Sequence, residues 1–367
     1  MLRGESTWSQ RTVRLRSRFK WVFLRLLRDT AALALAKWWV CRKGAVVLTF
    51  HRVLSVAAAA RTASPPGLAV SQRTFELLLR HLKEHYYVVD LAQGRRSANG
   101  HGRKIAITFD DGWEDNASTA FPIAAKLKIP ITIFVCPALM EMPMPFWPEF
   151  VVALVRSAYN SAESMERTRR ALTSAGYPQW AQSLSSADEN SSIDLIAKMK
   201  CLSGEQRGLL LDSLRSCGVL SEDCICESVD RTMSWSQLIE LSRAGVTFGS
   251  HTQRHEILTK IPLKQVEKEV SESKSALEAQ VGDCSVFSYP NGDVSSEVRD
   301  AVVRSGYELA FHNSPGVWRK DGDPFLIPRI NLCEETVTGP DGGFSPLAFD
   351  YRVFWNAFTH RGVVFDR

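Results

Sequence analysis

Residues 105–113 read Ile105-Ala106-Ile107-Thr108-Phe109-Asp110-Asp111-Gly112-Trp113, an apolar run of strand length that ends on two adjacent carboxylates and a glycine. A short β-branched and aromatic run closed by Asp and Gly predicts a buried strand entering a turn. In an α/β architecture the carboxyl end of a strand is where functional sites form. A second apolar run, Val246–Ser250, ends on His251-Thr252-Gln253-Arg254-His255. Each signal alone is ordinary. Asp-Asp-Gly is common turn chemistry, and a His pair at i, i+4 more often packs or faces water than binds a ligand. Both together, at strand ends of one sheet, can converge. Two imidazoles and one carboxylate suffice to hold a catalytic divalent metal with an open position, and the other carboxylate is then free to act as a base. That combination points to hydrolysis.

Working outward, short apolar runs alternate with helical patterns. Ala45–Phe50, Ile131–Cys136, Ser285–Tyr289, Leu309–Phe311 and Phe325–Leu332 read as further strands. Ser71–His85, Asn116–Lys128, Ser234–Ala244, Leu263–Gln280 and Ser295–Ser305 read as helices, with a capping box from Ser234 to Gln237. Repeated strand–helix alternation implies a parallel sheet, open or closed into a barrel. The alternation breaks over 141–232, a Ser-, Arg- and Glu-rich stretch with helical patterns such as Phe150–Tyr159 and Ile193–Leu202. It is expected to be a helical insertion, either a lid or a layer that only shields the sheet. The chain thus divides into a basic segment 1–43, two barrel halves over 44–140 and 233–335 flanking the insertion, and a tail 336–367 with an aromatic stretch.

The net charge is +5, but residues 1–43 carry 11 Lys and Arg against Glu5 and Asp29, so the remainder is mildly acidic. Nothing in it suggests a nucleic-acid-binding body. Arg11, Arg14, Arg18 and Arg25 fall near one helical face, with Phe23, Leu24, Leu27 and the Trp38-Trp39 pair as apolar bulk. Such a segment either lies peripherally on an anionic membrane or packs on the body, and an Arg-rich start also resembles an organelle transit peptide. No stretch approaches the roughly 20 apolar residues of a membrane span. The eight Cys show no Cys-x-x-Cys pair. Scattered Cys fit reduced thiols and a cytoplasmic location, with a disulfide among residues 201–226 as the alternative.

The motifs Thr108-Phe109-Asp110-Asp111-Gly112 and His251-Thr252-x-x-His255 resemble the first two motifs of the polysaccharide deacetylases, the NodB-homology or carbohydrate esterase 4 family. Leu48–Val53 (LTFHRV), Ile131–Val135 (ITIFV), Met233–Thr252, Phe287–Gly292 (FSYPNG) and Leu326–Ile330 (LIPRI) add to the likeness. The resemblance implies an α/β fold, a distorted (β/α) barrel of about seven strands. It implies a divalent metal, most often zinc, with cobalt or nickel equally suited to the ligands. Carried over, Asp111, His251 and His255 are the metal ligands and Asp110 is the general base. A backbone N–H near Tyr289 is the implied oxyanion donor. The implied substrate is an N-acetylated glycan, and the implied reaction is removal of its N-acetyl groups. Attack on another amide or ester is a second hydrolytic reading. A catalytically silent carbohydrate-binding protein in membrane-associated glycan assembly is a third.

The chain departs from the family pattern in two places. The third motif usually carries an Arg two residues before its Pro; here that residue is Ser288. The last motif usually offers a His as general acid; here the strand reads Leu326-Ile327-Pro328-Arg329-Ile330. Arg329 is therefore expected to replace the missing cation and contact Asp110 or the oxyanion. His312 is a candidate acid, the alternative being a polar strand-end residue. His51 either lines the site or is a hydrogen-bonded rim residue. Trp113, Trp147 and Trp235 either stack on sugar rings or pack in the core.

Overall fold

The structure, a computed structural model, describes residues 21–65, 67–91, 93, 102–143, 146–184, 189–226 and 228–360. Ten strands follow in chain order: β1 (Val46–Phe50), β2 (Arg52–Leu54), β3 (Ala69–Ser71), β4 (Tyr87–Val88), β5 (Lys104–Phe109), β6 (Thr132–Val135), β7 (Thr247–Ser250), β8 (Val286–Ser288), β9 (Leu309–His312) and β10 (Ile327–Asn331). Seven close a parallel barrel. β1 pairs with β10, and the neighbours run β10-β9-β8-β7-β6-β5 back to β1. The two-residue β4 lies beside the start of β5, and β2 with β3 forms a separate parallel ribbon.

Strand alternation fixes which residues enter the lumen. Val47, Ala106, Phe134, Val286, Leu309, Phe311 and Ile327 fill it, together with Trp318. Their neighbours Leu48, Phe50, Ile105, Phe109, Val135, Phe248, Phe287 and Ala310 face the surrounding helices. The lumen is so full that a Cβ on Gly249 would stand 2.6 Å from the Phe134 ring, which is why β7 carries glycine there. Outside, helices Gln72–His85, Trp235–Arg243, Leu263–Val281 and Ser296–Arg304 cover the strands. The Ser234–Gln237 capping box forms, satisfying two orphan amides.

Between β6 and β7 lie helices Trp147–Ala158, Ala162–Ser174, Pro178–Ser183, Glu189–Lys200, Gly204–Ser216 and Glu222–Cys226. Val151, Leu154, Leu172, Leu210 and Leu214 give them a hydrophobic cluster apart from the barrel core. Because they join β6 to β7, they stand at the carboxyl ends of the strands.

Residues 1–20 of the basic segment lie outside the described residues. The helical run from Trp21 breaks at Ala31, which adopts φ 59°, and resumes as Ala32–Lys43. Leu33, Ala36 and Val40 turn inward. The aromatic tail is what they meet: Phe23 packs on Tyr351 at 6.3 Å, Trp39 on Phe358 at 5.5 Å, and Lys37 pairs with Asp350 at 2.9 Å. No helix among the described residues is long and apolar enough to cross a membrane. Cys41, Cys136, Cys201, Cys217, Cys224, Cys284 and Cys333 are free thiols.

Candidate metal and catalytic site

β5 and β7 deliver the two motifs to one end of the barrel. Asp110 is anchored there by its N–H, which donates to the carbonyl of Phe50 at 3.0 Å. Asp111 turns away from its neighbour with φ 76°, and Gly112 follows with φ 69°. A side chain at 112 would drive a Cβ to 2.7 Å from Val135 Cγ1, so only glycine permits this turn. Thr252 and His255 also adopt positive φ, 66° and 59°. Left-handed non-glycine residues clustering in two facing loops mark backbone held against its preference, which occurs mainly at functional sites.

The turn brings three donors together. Asp111 Oδ1 lies 3.7 Å from His251 Nε2 and 3.4 Å from His255 Nε2. All three atoms fall within 4.8 Å of one another. Asp111 Oδ2 accepts a hydrogen bond from Trp113 Nε1 at 3.0 Å, while the buried Oδ1 has no hydrogen-bond partner among the described residues. An orphaned buried carboxylate oxygen aimed at two imidazoles fits a divalent ion. The His251 tautomer fits as well. Its Nδ1 lies 2.7 Å from the carbonyl of Ser288, which can only accept, so the proton sits on Nδ1 and Nε2 keeps its lone pair. Burial pushes both imidazoles down to about 4, against the pull of the neighbouring carboxylates. At neutral pH both are therefore in the form a metal binds.

Asp110 is held differently. Arg329 grips it with two parallel bonds of 2.7 Å, Nη1 to Oδ1 and Nη2 to Oδ2. Arg329 Nη2 also donates to Ser288 Oγ at 2.7 Å and Asn313 Oδ1 at 3.0 Å. Burial alone would raise the Asp110 pKa, but the Arg329 guanidinium, then His251, outweigh it and hold the carboxyl well below the usual range. Ser288 thus makes room for an Arg arriving from β10.

The other expected residues divide. His51, just beyond β1, stands close enough to Asp110 and His255 to act on their charge, and its buried Nδ1 has no partner among the described residues. His312 is not brought to the site. Phe311 faces the lumen, so His312 faces outward, into a separate cavity of about 310 Å³ bounded by Trp39, Lys43 and His360. Tyr289 also points outward, its hydroxyl donating to the carbonyl of Phe325 at 3.1 Å. Its N–H is taken by the Phe311 carbonyl at 3.0 Å, so Tyr289 itself offers no free amide to an oxyanion. Trp113 is buried, with Phe146 at 4.8 Å and the Arg52 guanidinium 4.3 Å over its ring. No face is left for a sugar; it orients Asp111 instead. Trp147 and Trp235 are partly buried against the helical cluster and the barrel core.

Sequence reasoning missed two features. Glu149, on the first insertion helix, is buried, and burial followed by the charges of Asp111 and Asp230 raises its carboxyl to about 8. Arg52 ties the insertion's return to the barrel rim: its guanidinium bonds Asp115 Oδ2 and Ser64 Oγ, each at 2.8 Å, the Val229 carbonyl at 3.1 Å, and Asp230. The charges of Asp115 and Asp230 were visible in the sequence, but their shared partner lies more than 60 residues from either.

A seven-stranded parallel barrel that gathers one Asp and two His at its strand ends is of the NodB-homology class. The chain belongs to the polysaccharide deacetylase family, whose model matches residues 97–189 and 211–310, more than half of its length. That match runs into the insertion, which the motif resemblance skips, and leaves out the stretches around His51 and Arg329. YxkH of Bacillus subtilis (strain 168), named as a polysaccharide deacetylase, is 25% identical over 97 residues; these make up 26% of this chain and 35% of that protein. The chain therefore spans about a third of the length of that curated relative. Among solved structures, the Streptococcus pyogenes deacetylase PplD in complex with acetate is 17% identical with a TM-score of 0.51, covering 80% of this chain and 94% of that one. IcaB from Ammonifex degensii is 18% identical with a TM-score of 0.50, covering 86% and 98%. At these identities the two structures share the fold.

Proposed function

We propose that the chain is a metal-dependent N-deacetylase that removes acetyl groups from amino sugars of a polysaccharide or glycan precursor. The observation that carries this reading is the unpartnered Asp111 Oδ1 facing His251 Nε2 and His255 Nε2, with Asp110 beside them in the grip of Arg329. A divalent ion, zinc by preference, held by Asp111, His251 and His255 lowers the pKa of water and polarises an acyl oxygen. Asp110 is ionised at any working pH, and it takes the proton as water adds to the acetyl carbon. Arg329 fixes the orientation of that base and, by its charge, keeps it a carboxylate. When the C–N bond breaks, the proton that Asp110 took passes to the sugar nitrogen, which departs as the amine, and acetate leaves with the base restored to its carboxylate. His51, whose Nδ1 is unpartnered among the described residues, is the side chain we assign to that nitrogen or to the oxyanion.

The test is bound metal and acetate release from N-acetylglucosamine oligomers, for wild type and Asp110→Asn. Metal binding with acetate release that Asp110→Asn abolishes supports the proposal. Metal without acetate from any acylated sugar overturns the activity. Acetate release indifferent to Asp110→Asn overturns the mechanism but keeps the class.

A further inference from the structure

Among the described residues of 21–43 and the tail, seven large hydrophobic side chains remain exposed after both have packed together: Val22, Phe23, Leu26, Leu35, Trp38, Trp39 and Phe358. Leu35 and Trp38 are more than half exposed, as are Val22 and Leu26 one turn apart on the preceding helical stretch. Leu35, Trp38 and Trp39 stand at i, i+3 and i+4 on one face of helix Ala32–Lys43, and an exposed apolar face of this kind marks an interaction site. The charges along it are mostly basic. Arg25, Arg42 and Lys43 are exposed, Arg42 lies over the Trp38 ring at 4.7 Å and Lys43 over Trp39 at 5.3 Å. The only acid in residues 21–43 is Asp29, which Arg28 neutralises at 2.8 Å.

The same helix borders the outward cavity of about 310 Å³, where Trp39 and Lys43 meet His312, Arg319 and His360, and among the described residues no acidic side chain lines it. Arg319 is paired with Asp321 at 3.0 Å at the rim. A basic hollow flanked by tryptophans and exposed leucines has the chemistry of a phospholipid contact: aromatics sit at the headgroup level, aliphatic side chains enter the acyl boundary, and cations meet phosphate. We propose that this flank docks the chain on an anionic lipid surface, with a headgroup phosphate seated in the cavity of Lys43, His312, Arg319 and His360. The proposal is independent of the deacetylase reading, since every residue it uses lies outside the barrel lumen.

The experiment is co-sedimentation of the full chain with vesicles of phosphatidylcholine alone and of phosphatidylcholine with phosphatidylglycerol. The wild type is expected to sediment with the anionic vesicles only, and less so at high salt. Leu35→Glu with Trp38→Glu, and separately Arg319→Glu, should each weaken that binding by roughly tenfold or more. Unchanged unfolding midpoints and metal content establish that the variants are folded. Equal binding to both vesicle types, no binding, or full binding by the variants (which would assign it to residues 1–20) overturns the proposal. So does a wild-type dimer that Trp38→Glu splits into monomers, because the face would then be covered by a second copy.

Discussion

Arg329 and Asp110 form a bidentate ion pair across the barrel mouth, both bonds 2.7 Å long and both side chains essentially excluded from water. Planar guanidinium and carboxylate fix each other's orientation as well as charge, which a Lys at the same place would not do. Removing one partner of such a pair leaves the other as an uncompensated buried charge, at a cost of about 3–5 kcal/mol. Arg329→Ala is therefore expected to lower the unfolding midpoint strongly and to reduce acetate release by roughly 10²–10⁴-fold, the usual worth of a positioned base. Arg329→Lys should recover much of the stability but little of the turnover. Equal recovery of both would mean that charge alone matters and orientation does not.

The metal set makes a separate prediction, readable without activity. Zinc added to the chelated wild type at about 100 times its dissociation constant should stabilise the fold by about 2.7 kcal/mol. Asp111→Asn and His251→Gln should lose most of that gain in a thermal melt, and titration calorimetry should show the corresponding loss of affinity. An undiminished zinc-induced shift in both variants would remove these residues from the ligand set.

His51 and His312 are both histidines at strand ends, but they face opposite sides of the barrel wall. His51→Gln is expected to reduce acetate release from soluble oligomers by about 10²-fold, in the range of one acid–base or polar contact. His312→Gln should leave that rate within about twofold, because its side chain faces the outward cavity, on the other side of the barrel wall from the donor triad. The opposite ranking in steady-state assays would reverse the assignment.

Glu149 gives the chain a pH signature. It keeps its proton in the folded state up to about pH 8, whereas the unfolded chain releases it near the ordinary value of 4.5. Between these limits the native state binds more protons, so stability contributed by this group is full below the lower value and is lost as pH rises through the upper one. Denaturant melts of metal-free protein should show wild type weakening relative to Glu149→Gln from pH 5 to 8. Parallel stability curves for the two would place the Glu149 titration elsewhere.

The fold was legible because its signals are local. Each strand is a short apolar run and each helix a periodic one, and parallel order follows from their alternation. The donor triad was legible because each half of it sits within five residues of sequence. The Arg329–Asp110 contact was also within reach, since a cation missing at Ser288 had to be supplied from elsewhere. What failed was facing. Strand parity would have turned His312 outward once Phe311 was placed inward, and the same parity turns Tyr289 away from the lumen. For Trp113 the sequence leaves open the choice between stacking on a sugar and packing, because it depends on Phe146 and Arg52, which arrive from distant segments. Glu149 carried no signal at all, because its carboxyl is unusual only through the burial that the helical insertion provides.

The insertion helices from Trp147 to Cys226 bury their own apolar cluster, and Arg207–Glu256 and Arg52–Asp230 are polar clasps that tie the insertion to the rim. A module anchored in this way can be exchanged. Since Asp110, Asp111, His251, His255 and Arg329 all belong to the barrel segments, a chimera carrying a foreign canopy would keep the reaction centre. It would change the walls that a polymer must pass to reach it. The donor triad and the walls around it are thereby carried by separate stretches of the same chain.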